Sequence, residues 1–117
     1  MAERTWVSAR NAAPAIGAVQ ADTGALPAGL YDVLIHLAVA DVIAAGVGLF
    51  VEHRNAANGA TLKDLGGHTP GGGGMKLRLE QYRLATNERI RVVAGSAAGG
   101  AGSLFVSAIG YQRVGAE

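Results

Sequence analysis

Met75-Lys-Leu-Arg-Leu-Glu-Gln-Tyr-Arg-Leu-Ala-Thr-Asn-Glu-Arg-Ile-Arg-Val-Val93 carries the clearest alternation of apolar and polar residues in the chain. Met75, Leu77 and Leu79 alternate with Lys76, Arg78 and Glu80, the period-two pattern of a strand with one dry and one wet face. Ala85-Thr86-Asn87-Glu88 follows, and Asn87 tolerates the positive φ of a tight turn. A second alternating run sets Arg89 and Arg91 against Ile90 and Val92. Together the two runs read as a β-hairpin, and its apolar side requires a second layer. The expected class is therefore all-β, an antiparallel sandwich or barrel.

Composition sets the limits around that stretch. A chain of 117 residues is one domain, long enough to bury a core without staples. With no cysteine it has no disulfide, thiolate nucleophile or cysteine-based zinc site. Ten Lys+Arg against nine Asp+Glu leave a net charge of +1, too even for a general nucleic-acid footprint. Aromatics make up 5% of the chain, so Val, Leu, Ile and Ala must build the core. The 18 glycines cluster at 66–74 and 95–102, between alternating segments, as loops between strands require.

Upstream of the central stretch, residues 1–14 show no sustained period. They are expected as a poorly structured N-terminal arm, with Arg4, Trp6 and Arg10 available to dock on a partner. Met1-Ala-Glu-Arg-Thr-Trp6 also lacks the charged start and apolar run of a secretory leader. Residues 15–117 are expected as the folded domain. Ala15 to Gln20 reads as a short strand, followed by a turn at Asp22-Thr23-Gly24.

From Leu30 to Val51 the chain is nearly continuously apolar, which raises a membrane span. His36 and Asp41 would both lie inside such a span, and two strands joined near Ala40–Gly46 explain the same residues without placing a charge in lipid. Asn58-Gly59 is the strongest short hairpin signal. Thr61, Leu62 and Leu65 suggest a further strand, and Gly66 to Gly74 a loop. Leu104 to Arg113 alternates with apolar residues on both faces, as a strand inside a sheet does.

Catalytic and metal chemistry find little support. Gly71-Gly-Gly-Gly-Met-Lys76 lacks both the spacing and the hydroxyl residue of a phosphate loop. His36, His53 and His68 form no i, i+4 pair. His36 reads as a packed, hydrogen-bonded residue, His53 as a solvated strand end, and His68 as part of the glycine loop. No serine lies near a histidine or acid in the sequence. No catalytic, cofactor or metal residue is assigned, and no cofactor is expected. The basic set Lys76, Arg78, Arg83, Arg89 and Arg91 reads as a solvated face that discourages edge pairing, or as an interface in which Arg grips carboxylates of a neighbouring subunit.

Two segments carry a family resemblance, Gly29-Leu-Tyr-Asp-Val-Leu-Ile-His-Leu-Ala-Val39 through Glu52-His-Arg-Asn-Ala-Ala-Asn58, and Tyr82-Arg-Leu-Ala-Thr-Asn-Glu-Arg-Ile-Arg-Val-Val93. Across residues 29 to 114 the chain resembles the small β-sandwich proteins that decorate or cement the capsids of tailed bacteriophages. The resemblance implies a non-enzymatic virion protein on the capsid surface, bound to the major capsid protein and to copies of itself as a homotrimer or other small homo-oligomer, with no membrane or specific nucleic-acid partner. Arg4, Trp6, Arg10, Arg78, Arg83, Arg89 and Arg91 are the candidate interface residues. The alternatives are a tail, head–tail connector or head-fibre protein, and a soluble ligand- or carbohydrate-binding β-domain. The expected architecture is an antiparallel, jelly-roll-like sandwich of about six to eight strands.

Overall fold

The computed structural model describes residues 4–12, 14–40, 48–68, 74–95 and 104–116. Every regular element among them is a strand: β1 (Thr5–Ala12), β2 (Val19–Asp22), β3 (Gly29–Ala40), β4 (Leu49–Arg54), β5 (Thr61–His68), β6 (Gly74–Leu84), β7 (Arg89–Ala94) and β8 (Leu104–Gly115). They form two antiparallel four-stranded sheets, sheet A in the order β1-β8-β3-β6 and sheet B in the order β2-β7-β4-β5. First pairs with last: β1 with β8, β2 with β7, β3 with β6 and β4 with β5. Successive pairs fall in opposite sheets, which is the order of a jelly roll. The domain is an all-β sandwich.

Alternation explains the layers. Tyr31, Val33, Ile35, Leu37 and Val39 of β3 point inward, with Phe105 and Ile109 of β8 beside them. Leu49 and Val51 of β4 and Ile90, Val92 and Ala94 of β7 face them from sheet B. Phe105, Ile35, Leu49, Ile90 and Ile109 are fully enclosed. Polar rungs also join the sheets. Ser107 Oγ of β8 accepts the Ala21 N–H of β2 at 3.2 Å, and Asn11 Nδ2 of β1 donates to Gln20 Oε1 of β2 at 2.6 Å.

The two runs of Met75–Val93 are strands, but they do not pair with each other as a hairpin. β6 lies beside β3 in sheet A, while β7 lies between β2 and β4 in sheet B. Their connection is an arch that carries the chain from one sheet to the other. Its turn is as the sequence indicates: Asn87 has φ 67°, and the Glu88 N–H donates to the Ala85 carbonyl at 3.1 Å. Leu26 anchors the arch, its carbonyl accepting from Asn87 N–H at 2.8 Å and its N–H donating to Glu88 at 3.0 Å. The physical reason is burial. Separated onto two sheets, the apolar faces of β6 and β7 look at each other through a shared interior, so neither needs another cover.

A bulge in β6 assists. The pairing with β3 shifts register between Tyr31 and Val33, and Gln81 takes φ 49°. Inward positions therefore pass from Met75, Leu77 and Leu79 to Tyr82 and Leu84.

The N-terminal segment is likewise corrected. Residues 5–12 are not an arm: they form β1, an edge strand of sheet A paired along its length with β8. A strand apolar on both faces wants neighbours on both edges, and β1 supplies the second neighbour of β8. The strand expected at 15–20 is displaced to Val19–Asp22, because Ile16-Gly17 turns the chain and Gly17 has φ 84°.

Two strands do occupy the long apolar stretch, β3 and β4. No helix among the described residues is long and apolar enough to cross a membrane. The Asn58-Gly59 turn joins β4 to β5, with Asn58 at φ 56° and its carboxamide oxygen accepting from Arg54 Nε at 3.0 Å. Gly66 to His68, expected in a loop, belong to β5. The rest of the 66–74 loop before Gly74, and that at 96–102, lie outside the described residues.

Candidate functional site

The outward positions of sheet A form three rows across its four strands. Trp6, Gly110, Leu34 and Arg78 make one row; Ser8, Ala108, His36 and Lys76 the next; Arg10, Val106, Ala38 and Gly74 the third. The two central strands thus carry small or aliphatic residues, with His36 among them, while the edge strands carry Trp6, Arg10, Lys76 and Arg78. Long side chains at the margins and short ones between them make a trough. A depression of about 710 Å³ opens there, lined by His36, Ala38, Gly74, Lys76, Val106 and Ala108 with Leu37 and Met75.

Trp6 shapes one end of the trough. It is 48% exposed, and its ring meets His36 edge-on at 5.6 Å and 81°. Only glycine fits beneath it. A Cβ at Gly110 would stand 2.7 Å from the indole and 2.6 Å from Cδ of Arg4. Arg4 crosses the same spot, donating from Nη1 to the Asp32 and Gly110 carbonyls at 3.3 Å each. His36 is packed as expected, and its Nε2 is buried without a hydrogen-bond partner.

Arg83 joins this outer face from the far side of the β6 bulge, opposite Leu30. Among the described residues the face therefore carries Arg4, Arg10, Lys76, Arg78 and Arg83 against Asp32 and Glu80. Its one ion pair among the described residues, Arg78–Glu80 at 3.5 Å, is largely exposed and contributes little.

Sheet B is the opposite case. Arg91 Nε meets Glu52 Oε1 at 2.9 Å with both side chains 17% exposed, and Arg89 meets Asp22 at 3.6 Å. Thr61 Oγ1 donates to Glu52 Oε2 at 3.0 Å and accepts from Arg54 Nη1 at 2.8 Å. Arg89 and Arg91 are thus paired with carboxylates of the same sheet, and Arg54 is held by Asn58 and Thr61. Farther along the same face, Val19, Val93 and Phe50 make an apolar row, with Val19 and Phe50 exposed. The basic residues expected to share one face are thus divided between opposite sides of the sandwich, Lys76, Arg78 and Arg83 on one and Arg89 and Arg91 on the other.

One constellation escaped the sequence reading. His53, taken for a solvated strand end, is buried between the sheets. Its Nε2 lies 2.8 Å from Glu88 Oε1 and its Nδ1 lies 2.8 Å from Tyr82 Oη. Burial opposes ionisation of Glu88. The Ala85 N–H at 2.8 Å, the His53 hydrogen bond and the His53 charge outweigh it and hold the carboxyl below its ordinary value. An ionised Glu88 accepts only, so Nε2 of His53 carries the proton between them and Nδ1 faces the Tyr82 hydroxyl. Burial, reinforced by the negative Glu88, raises the Tyr82 phenol above its usual range.

A histidine, an acid and a hydroxyl in line share the makings of a proton relay. Here, however, both ring nitrogens are engaged within the protein. Neither the trough nor a smaller depression by Leu26, Tyr31 and Tyr111 is lined by any of the three. The cluster ties β4, β6 and the arch together. His68 is buried at the end of β5 rather than in a loop, its Nε2 without a partner. No group of three metal-ligating side chains assembles among the described residues.

No protein-family model matches the chain, and no curated protein matches it.

Proposed function

We propose that this chain is a non-enzymatic structural protein of a virion, of the decoration or cement kind. It sits on the outside of a shell built from the major capsid protein, as a homotrimer or other small homo-oligomer, and stabilises that shell. The observation that carries the reading is the contrast between the two outer faces. One is neutralised by its own ion pairs. The other holds an apolar trough, an exposed Trp6 and cations in excess, the make-up of an interface core with a polar rim.

The sandwich measures 44 × 30 × 17 Å, broad enough to offer the about 800 Å² per partner of a standard interface. Repetition over a lattice adds avidity to a modest single contact. The buried His53–Glu88 pair fits the same reading as a fastener, since neither ring nitrogen is left for a substrate.

Scanning calorimetry of empty shells with and without the protein tests the proposal. A ligand that binds the assembled shell raises its transition by mass action. A transition that stays in place at saturating protein refutes shell stabilisation. A second reading, a ligand- or carbohydrate-binding β-domain, has the trough in its favour. Of the aromatics on the described surface, however, Trp6 alone is exposed there, and the interior claims Tyr31. A glycan array with binding lost on Trp6→Ala would support that reading instead.

A further inference from the structure

We infer that the trough on the outer face of sheet A is the docking surface for an acidic protein partner. An apolar side chain of that partner fills the depression over Ala38, Val106 and Ala108, and its carboxylates meet Arg10, Lys76 and Arg78. The inference rests on the reading of the chain as a shell-binding protein and names the side that faces the shell.

Three features converge on this face. The first is shape. Central strands carrying Gly110, Ala108 and Ala38 lie between edge strands carrying Trp6, Arg10, Lys76 and Arg78. An apolar hollow lined by Lys76, with Trp6, Arg10 and Arg78 on the same outer face around it, is the form an interface hot spot takes, an anchor in a pocket with a polar rim. The second is an unmet polar group. Nε2 of His36, which lines the hollow, is buried with no hydrogen-bond partner, an unusual state for a native side chain.

The third is charge. Among the described residues of this face Arg4, Arg10, Lys76, Arg78 and Arg83 outnumber Asp32 and Glu80, whereas Asp22 and Glu52 already engage Arg89 and Arg91 on the opposite face. The surface complementary to this trough is therefore acidic around an apolar centre.

The same charges argue against a second copy as the occupant. A twofold interface sets a patch against its own copy, and here it would set the cations Arg10, Lys76 and Arg78 against a patch of the same sign. Self-association belongs instead to surfaces without excess charge, such as the row of Val19, Val93 and Phe50. A nucleic acid fits less well: the centre of the trough is aliphatic, and among the described residues of this face Trp6 is the one exposed aromatic for base stacking.

Co-sedimentation of the full chain with empty shells of the major capsid protein from the same virus tests the inference, at low and high salt. One variant reverses the rim (Arg10→Glu, Lys76→Glu and Arg78→Glu together), and a second fills the hollow (Ala108→Leu). A third alters the opposite face (Val19→Ser and Phe50→Ser). All positions are on outer faces, and each variant is first checked for an unchanged circular dichroism spectrum.

The expected result is salt-sensitive binding by the native chain, weakened about tenfold or more by each trough variant and unchanged by the third. Native binding that survives both trough variants overturns the docking face and leaves the shell reading standing. No binding by the native chain removes the shell reading and this inference with it. Tighter binding to duplex DNA than to shells, or a dimer in light scattering that the rim reversal dissolves, also overturns it.

Discussion

Replacing His53 by alanine should cost more stability than its reading as a solvated strand end allows. The side chain makes two hydrogen bonds of 2.8 Å, one to the Glu88 carboxylate and one to the Tyr82 hydroxyl. A hydrogen bond to a charged partner contributes about 1.5–3 kcal/mol and a neutral one about 1 kcal/mol, so the loss sums to about 2.5–4 kcal/mol. Unfolding entropy of about 2.1 cal/mol/K per residue over 117 residues makes each kcal/mol worth about 4 °C, and the melting temperature should fall by about 10–16 °C.

The effect is specific to the pair, which a double-mutant cycle with Glu88→Gln shows. Glutamine keeps the Oε1 that accepts from both the Ala85 N–H and His53, so the cycle reads the charge contribution to the His53–Glu88 bond, expected at about 1 kcal/mol or more. Thermal denaturation followed by circular dichroism gives all four corners. A fall of less than about 4 °C for His53→Ala, or additivity within about 0.5 kcal/mol, would show that the cluster does not fasten the arch.

The remaining predictions follow from single contacts. Because its carboxyl is depressed in the fold, Glu88 stabilises the native state above its unfolded value of about 4.5 and loses that contribution as pH falls through its lower folded value. Denaturant titrations should therefore find the native protein more stable than Glu88→Gln at neutral pH and the two converging in acid; a constant gap contradicts the assignment. Gly110→Ala places a methyl group where the indole of Trp6 lies, so the only tryptophan should swing into water and its emission shift to the red. The accompanying stability change should be no more than about 1 kcal/mol, and an unmoved emission maximum would show that Trp6 does not lie over Gly110. Ser107→Ala strips the Ala21 N–H of its inter-sheet acceptor, at a cost of about 1–3 kcal/mol and with faster exchange of that amide; unchanged exchange refutes the rung.

Alternation carried most of the fold. Tyr31 to Val39 and Leu104 to Ile109 have one spatial solution each, and Asn58-Gly59 and Asn87 name their turns by backbone chemistry. Partner choice was not legible in the same way. A short turn between two half-apolar strands serves a hairpin and an arch alike, and what separates them is whether the apolar faces lie side by side or opposite. A clue was present in the change of phase, odd at Met75, Leu77 and Leu79 and even at Tyr82 and Leu84, which marks the bulge at Gln81.

β1 was missed because its inward residues, Val7, Ala9 and Asn11, are too small and mixed to show a period. The candidate interface set was partly legible. Arg4, Trp6, Arg10, Arg78 and Arg83 share the outer face of sheet A, whereas Arg89 and Arg91 pair with acids on sheet B. The His53 cluster had no local signal, since Tyr82 and Glu88 lie 29 and 35 residues away along the chain.

A cryo-electron microscopy map of shells incubated with the protein would show which sheet meets the capsid. Sheet A, with Trp6, Arg10, Lys76 and Arg78, should lie against acidic residues of the capsid protein, and Glu52 and Arg91 of sheet B should point to solvent. Density that seats sheet B or a loop end on the shell, or shells with no added density, would contradict it.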